Sequence, residues 1–351
     1  MKAPIFKNIL SLSVAALLLA ACVGGPSATD SITQGAERKG GLFGLAKNDS
    51  VIATTPEAFK GTNDVVIGAF SVGFLTQKTD SAKAGGGLLG NGMGGKSTAH
   101  SNLNGINDAT LQSITDKAYD AFLKDLKAAG YNVVDRSTLL NNKDFAETKD
   151  YESPYEDTTG GIFSRGTITK YFAPSSFNGK MKVFMGDIPA LSGGFAFGNP
   201  MTAAATIADK GGPRIIHAVY LVDFANAEGY GGWARTSSSI AVGQGLTVVP
   251  EGTKIGIIGG QAGTFSSKIG VVALGQPVTS DKPFADVTDA TTGTDKTMQG
   301  VANVIGVLGG VGTNATRNYE FAARPADYTA AANDAITDAR GALIKKMKSL
   351  N

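Results

Sequence analysis

Any chemistry in this chain must come from carboxylates, hydroxyls, lysines and arginines, because its 351 residues include one cysteine and two histidines. A lone cysteine excludes an internal disulfide, a thiolate zinc centre and an iron–sulfur cluster. His100 and His217 have no second histidine at ligand spacing, so we read a surface residue and a packed or hydrogen-bonded strand residue and assign no metal. No G-x-S-x-G elbow occurs: Ser71, in Phe70-Ser71-Val72, lacks the preceding glycine. The run Gly90–Ser97 does spell the phosphate-loop pattern G-x-x-x-x-G-K-[ST], and Ala218–Asp223 offers an apolar strand ending in Asp. A phosphate loop, however, must pass directly from a strand into a helix N-terminus, where amides and dipole hold the phosphates. Here long stretches separate the motif from both neighbours, so we read a glycine-rich loop with no nucleotide and no cofactor. Paired carboxylates remain. Glu147, Asp150, Glu152, Glu156 and Asp157 cluster with Tyr151 and Tyr155, a composition of sugar-binding and glycosidase clefts, although a solvated acidic loop is the plainer reading. Asp286, Asp289 and Asp295 have oxygen chemistry suited to calcium but not its loop spacing.

The cysteine has a better use. Lys2 and Lys7 precede an apolar run from Ile9 to Ala20, too short to span a bilayer and suited to a secretory signal. The run ends in Leu19-Ala20-Ala21-Cys22, which resembles the bacterial lipobox. That resemblance implies cleavage before Cys22, acylation of its thiol and new amine, and anchoring to the membrane by lipid; two or more chains give a stable anchor. Val23, rather than Asp, follows the cysteine, and by the same resemblance this implies sorting to the outer membrane; we expect the periplasmic face. Removing residues 1–21 takes away two lysines and leaves 30 basic against 30 acidic residues, so no electrostatic footprint for nucleic acid remains.

Organisation follows from patterning. Glycine is abundant, 47 residues, but 42% of the chain is apolar, which excludes a disordered polymer. Residues 22–63, polar and without periodicity, read as a flexible tether, and residues 64–351 as one domain. Asp64–Thr76 predicts a central strand, Asn107–Ala129 a helix capped by Asp108 and closed by Gly130, and Tyr131–Asp135 a strand. Arg214–Phe224 predicts a long strand turning at 226–232, followed by meander strands Ser237–Val242, Leu246–Val249, Lys254–Gly259 and Lys268–Leu274. Met298–Gly312 reads as a helix packed in the core or against a neighbouring subunit, Asp281–Lys296 as a polar connection, and Asp327–Leu350 as a terminal helix. The class is α/β (α+β): a mixed sheet with flanking helices and extended glycine-rich hairpins in the second half, at about 235–276.

The order of these pieces resembles the curli secretion channel lipoprotein family. The residues that carry the likeness are the lipobox, Val65-Val66-Ile67, Ile114 with Ala118, Tyr131 to Ser137, Ala218 to Asp223 with a turn at Ala227-Glu228-Gly229, and Asn333 to Ile336. The resemblance implies a non-enzymatic, homo-oligomeric envelope protein acting in export or assembly of surface material, with a secreted or envelope protein as partner. The chain departs from that pattern in the loop from Lys78 to Gly105, in the hairpins from Ser237 to Leu274 and in the threonine-rich insert. The alternative is a glycan-binding or carboxylate-based glycan-active lipoprotein using the Glu147–Asp157 loop.

Overall fold

The computed structural model describes residues 49–83, 96–192, 198–230, 237–259, 268–291, 296–298, 306–311 and 315–351. Cys22, the signal segment, most of the tether and Gly90–Gly95 lie outside them.

In chain order the main elements are β1 (Val51–Thr54), β2 (Asp64–Lys83), β3 (Lys96–Asn104), α1 (Asp108–Ala128), β4 (Asn132–Val133), β5 (Tyr155–Asp157), β6 (Ile168–Phe172), α2 (Met201–Asp209) and β7 (Arg214–Tyr230). They continue with β8 (Ser237–Val248), β9 (Lys254–Ile258), β10 (Ile269–Leu274), β11 (Val278–Ser280), β12 (Ala285–Asp289), β13 (Lys296–Met298), β14 (Gly306–Val311), β15 (Ala315–Ala323) and α3 (Pro325–Leu350). One mixed sheet runs β1-β10-β9-β7-β2-β3-β15-β12-β13, with β8 branching from β7 to meet β11 and β14. The fold is therefore α/β with a mixed sheet, flanking helices and long hairpins.

β2 and β7 are the centre, parallel from Val65 opposite Arg214 to Phe74 opposite Val222. Both are apolar on both faces, as strands covered by helices must be. Val65, Ile67, Phe70, Val72 and Phe74 of β2 join the large core under α1 and α3, while Val66 and Ala69 join a smaller core with α2, Phe145 and Phe184. The parity switches from odd to even because a bulge sits between Ile67 and Ala69. Gly68 permits it: a Cβ there would lie 2.6 Å from Ile215 and 2.9 Å from Phe184.

α1 buries Leu111, Ile114, Ala118, Phe122 and Leu126 at helical spacing. Its N-cap is Asn107, whose side chain accepts from the Thr110 amide, not Asp108; Gly130 takes φ +99° after the last turn as expected of a C′ glycine. α3 lies beside α1, joined by Arg340 Nε to Asp125 Oδ2 at 2.7 Å.

Several expectations are corrected. The segment 78–105 is not one loop. β2 continues to Lys83 and β3 begins at Lys96, paired antiparallel from Gln77 opposite Asn102 to Lys83 opposite Lys96. Ala227-Glu228-Gly229 is not a turn; β7 runs on to Tyr230, and β8 is one strand with a bulge between Gln244 and Thr247. The extension expected at 235–276 divides: β8 belongs to an outer hairpin with β7, whereas β9 and β10 are inside the main sheet, with Ile255, Ile257 and Val272 fully buried. Within Met298–Gly312, the described pieces are strand, not helix. The 281–296 connection contains β12, which pairs with β15 and buries Val287. The expected tether is already folded from Val51 on, because β1 pairs with β10 and Phe59 is fully buried.

Candidate functional site

Above Phe74 and Val222 the central pair forks. β2 turns to β3, and β7 to β8. β14 and β15, joined by residues 312–314, bring Val311 opposite Ser237 and Ala315 opposite Ser97, so the two arms run side by side to their ends, within about 14 Å of chain reach.

Residues directly opposite in a sheet share a face. On the inner face of the β2/β3/β15 arm, Lys78 opposes Ser101 and Ser101 opposes Tyr319; the neighbouring rows hold Asp80, Ala82, Ser97, Ala99 and Arg317. Lys78 and Asp223 are 7% and 4% exposed. Lys78 Nζ donates to Asp223 Oδ2 at 2.5 Å and to the Ala225 carbonyl at 2.6 Å, and lies 3.6 Å from Asp80 Oδ2. A buried charge tolerates such a place only when paired and hydrogen-bonded. The pair bridges the fork, tying β2 to β7 where their ladder has ended. The Tyr328 phenol is pushed up by burial and by the charge of Asp223, which holds it neutral.

The opposite face of this arm is polar throughout. Gln77, Thr79 and Ser81 lie in rows with Asn102, His100 and Thr98, and these with Glu320, Asn318 and Thr316. Asn102 donates to Glu320 at 2.8 Å, and Thr79 Oγ1 meets His100 Nδ1 at 3.0 Å. A strand facing lipid must present an apolar outer row, and this face has none.

A second buried group centres on His217, read from the sequence as a packed or hydrogen-bonded strand residue, and it is both; its partner Asp187 had no signal in the sequence. His217 stands in β7 and stacks on Phe184, 4.6 Å between ring centres; its Nδ1 lies 2.9 Å from both oxygens of Asp187. Lys254 adds a cation 3.5 Å from Asp187 and donates to the Gly186 carbonyl. An Asp–His pair of this kind orients a catalytic base in hydrolases. Here Nε2 points at Gly256, where a Cβ would lie only 1.9 Å from it, and it has no hydrogen-bond partner among the described residues. Gly256 sits on β9, on the opposite side of β7 from the β2 strand that carries Ser71. The imidazole is thus walled in by backbone and polarises no hydroxyl among the described residues. Only tertiary pairing brings Asp187 to His217; the nearest clue in the sequence was His217 itself within an apolar strand.

The acidic loop is occupied by its own cations. Lys182, buried, lies 3.1 Å from Asp150 and also donates to the Ala146 and Thr148 carbonyls. Glu152 is bound by Lys180, Glu156 lies 3.9 Å from Lys170 and Glu147 3.9 Å from Lys143. Asp157 is buried and accepts from the amide and hydroxyl of Thr159. Five carboxylates with five separate partners do not make an acid/base pair across a cleft. Lys96 and Ser97 of the phosphate-loop match start a strand rather than a helix, so no helix N-terminus backs the motif. Asp289 caps Thr291 and pairs with Arg317 at 3.1 Å; burial raises its pKa, but those hydrogen bonds outweigh it and hold the carboxyl below the usual value. Asp286 pairs with Arg324 instead, and Asp295 lies outside the described residues. Among the described residues no three His, Cys, Asp or Glu side chains converge on a metal position, and no helix is long and apolar enough to cross a membrane.

No protein-family model matches the chain, and neither the curated proteins nor the solved structures contain a match to it.

Proposed function

We propose that this protein is a non-enzymatic, lipid-anchored component of the cell envelope that assembles with copies of itself and serves the export or assembly of surface material. Cys22 carries the lipid, and the outer membrane, periplasmic side, is its place. The observation that carries the reading is the forked pair of arms. Two central strands of an ordinary α/β core run on beyond their shared ladder as hairpins, a large investment of backbone in surfaces whose described residues hold no catalytic constellation. On the β2/β3/β15 arm polar side chains point outward in regular rows, which suits contact with protein or water rather than lipid. In this reading the β2/β3/β15 arm works outside the bilayer.

The glycan reading is disfavoured because the carboxylates it needs are committed to Lys143, Lys170, Lys180, Lys182 and Thr159.

The deciding experiment extracts the full chain from membranes in detergent and measures mass by analytical ultracentrifugation and shape by electron microscopy. A discrete closed assembly is expected. A monomer at every concentration overturns the oligomeric reading, and a Cys22→Ala chain that stays in the membrane fraction overturns the anchor.

A further inference from the structure

Residues 49–60 cross the edge of the sheet as a strap, between the chain that leads to Cys22 and the first central strand. β1 adds four residues to β10, Val51 opposite Leu274 through Thr54 opposite Val271, and a turn of 3-10 helix, Pro56–Phe59, follows. The receiving surface is shaped for it. Gly275 lets the Asp49 carbonyl approach: a Cβ there would lie 2.0 Å from that oxygen. Gly270 makes the hollow for Phe59, since a Cβ would lie 2.6 Å from its ring and 3.0 Å from both the Ala58 Cβ and the Thr55 carbonyl. Arg214, 3% exposed, donates through Nη1 to the carbonyls of Phe59 at 2.6 Å and Ala58 at 3.4 Å.

Two features set the strap apart from the sheet it joins. Thr55, a β-branched residue, is held at φ +48°, ψ +64°, a left-handed conformation that costs energy and persists only while its surroundings impose it. Arg214, which holds the strap by carbonyls rather than a carboxylate, has a buried Nε with no partner among the described residues, so release of the strap would return a guanidinium to water. Docking is thus opposed by local strain and by desolvation of a charge. It is favoured by the burial of Phe59, Ala58 and Val51, by the two Arg214 hydrogen bonds and by one short edge ladder. Lys60, Gly61 and Thr62 follow as an exposed joint, with Gly61 at φ +128° and nothing within 4 Å of its Cβ position.

We infer that residues 49–60 form a detachable strap, which docks on β10, Gly270, Gly275 and Arg214 and opens without unfolding the domain. Opening is a property of the chain itself and holds whatever the protein exports. Its consequence rests on the lipid at Cys22: release adds residues 49–63 to the connection, up to about 50 Å of extended chain, and so sets how far the domain stands from the membrane.

Hydrogen exchange read by mass spectrometry on the full chain tests this. Peptides covering 49–60 are expected to exchange at least tenfold faster than those covering 64–75 and 214–224 in the native protein. Phe59→Ala is expected to accelerate exchange of the strap on the order of a hundredfold, the scale of deleting a buried ring, and Gly270→Val to do likewise by filling the hollow. In both variants β2 and β7 keep their protection. Equal protection of strap and central strands in the native chain, or variants that loosen β2 and β7 in step with the strap, overturns the inference. Neither outcome depends on oligomeric state, so failure here is distinct from failure of the proposed function.

Discussion

Below Phe74 and Val222, β2 and β7 lie side by side in an apolar interior; above, the same two strands part and face a mixed one, in which Lys78, Ser101 and Asp223 are buried beside Phe224, Val242 and Phe321. In the base, Phe70 meets Tyr119, Phe122 and Tyr220 at ring distances of 5.2, 5.4 and 5.8 Å, and many such contacts share the work. In the arms, Lys78 and Asp223 stand among serines and alanines, and their ion pair with its hydrogen bonds ties β2 to β7 beside the ring contact of Phe224 with Phe321 at 5.0 Å. Apolar packing is non-directional and tolerates small shifts, whereas a buried charge pair fails if either partner is lost. The base is therefore suited to holding the fold, and the fork to holding a particular arrangement of arms.

Phe70→Ala should break the base, with a loss of about 3–5 kcal/mol in urea unfolding; a loss confined to spectroscopic signals from the arms would contradict the division. Lys78→Met should cost about 3 kcal/mol or more, since it strands the Asp223 carboxylate. Adding Asp223→Leu should recover most of that loss, and a double variant as weak as the single would show that the pair holds the fork by more than charge. Gly256→Ala, on the satellite side of the base, should cost about 1–3 kcal/mol by overpacking, and a double-mutant cycle with His217→Ala should show that the ring is what it strikes. A smaller effect concerns acid. The Asp289 carboxyl is held below its usual value, so its contribution is complete above the unfolded value of 3.8 and disappears as pH falls through the folded one. Asp289→Asn should therefore lower stability near neutrality, with the deficit shrinking as pH falls below 3.8, so that the variant's acid limb is flatter. Smallest of all, Thr98→Val and Thr316→Val, on the outer polar rows, should change unfolding free energy by within about 0.5 kcal/mol.

Much of the base was legible in the residues. The β-branched and aromatic run of β2, the three-and-four spacing of Leu111 to Leu126 and the alanine-rich stripe of α3 each report burial through a period that one segment carries alone. The arms were not legible as far out. Thr79 to Lys83, Lys96 to Asn102 and Asn226 to Tyr230 are polar or small, so they look like loop; they become strand because a neighbour supplies hydrogen bonds in register. The same holds for Gly306–Val311, whose strand state comes from pairing with β8 and is opposed by glycine's own preference. Asn107 took the cap from Asp108 by one residue, a choice made by side-chain geometry at the Thr110 amide.

Local information settled the elements that bury a face by themselves, the poverty of catalytic residue types and the lipobox resemblance that ends at the single cysteine, because each is a matter of type and spacing along the chain. Tertiary structure alone decided that His217 meets Asp187 and is closed off by Gly256, that Lys78 bridges to Asp223, and that residues 49–60 lie in a groove of Gly270, Gly275 and Arg214. Those contacts join residues far apart in sequence, and their energies depend on burial and on which partner arrives, neither of which any single segment encodes.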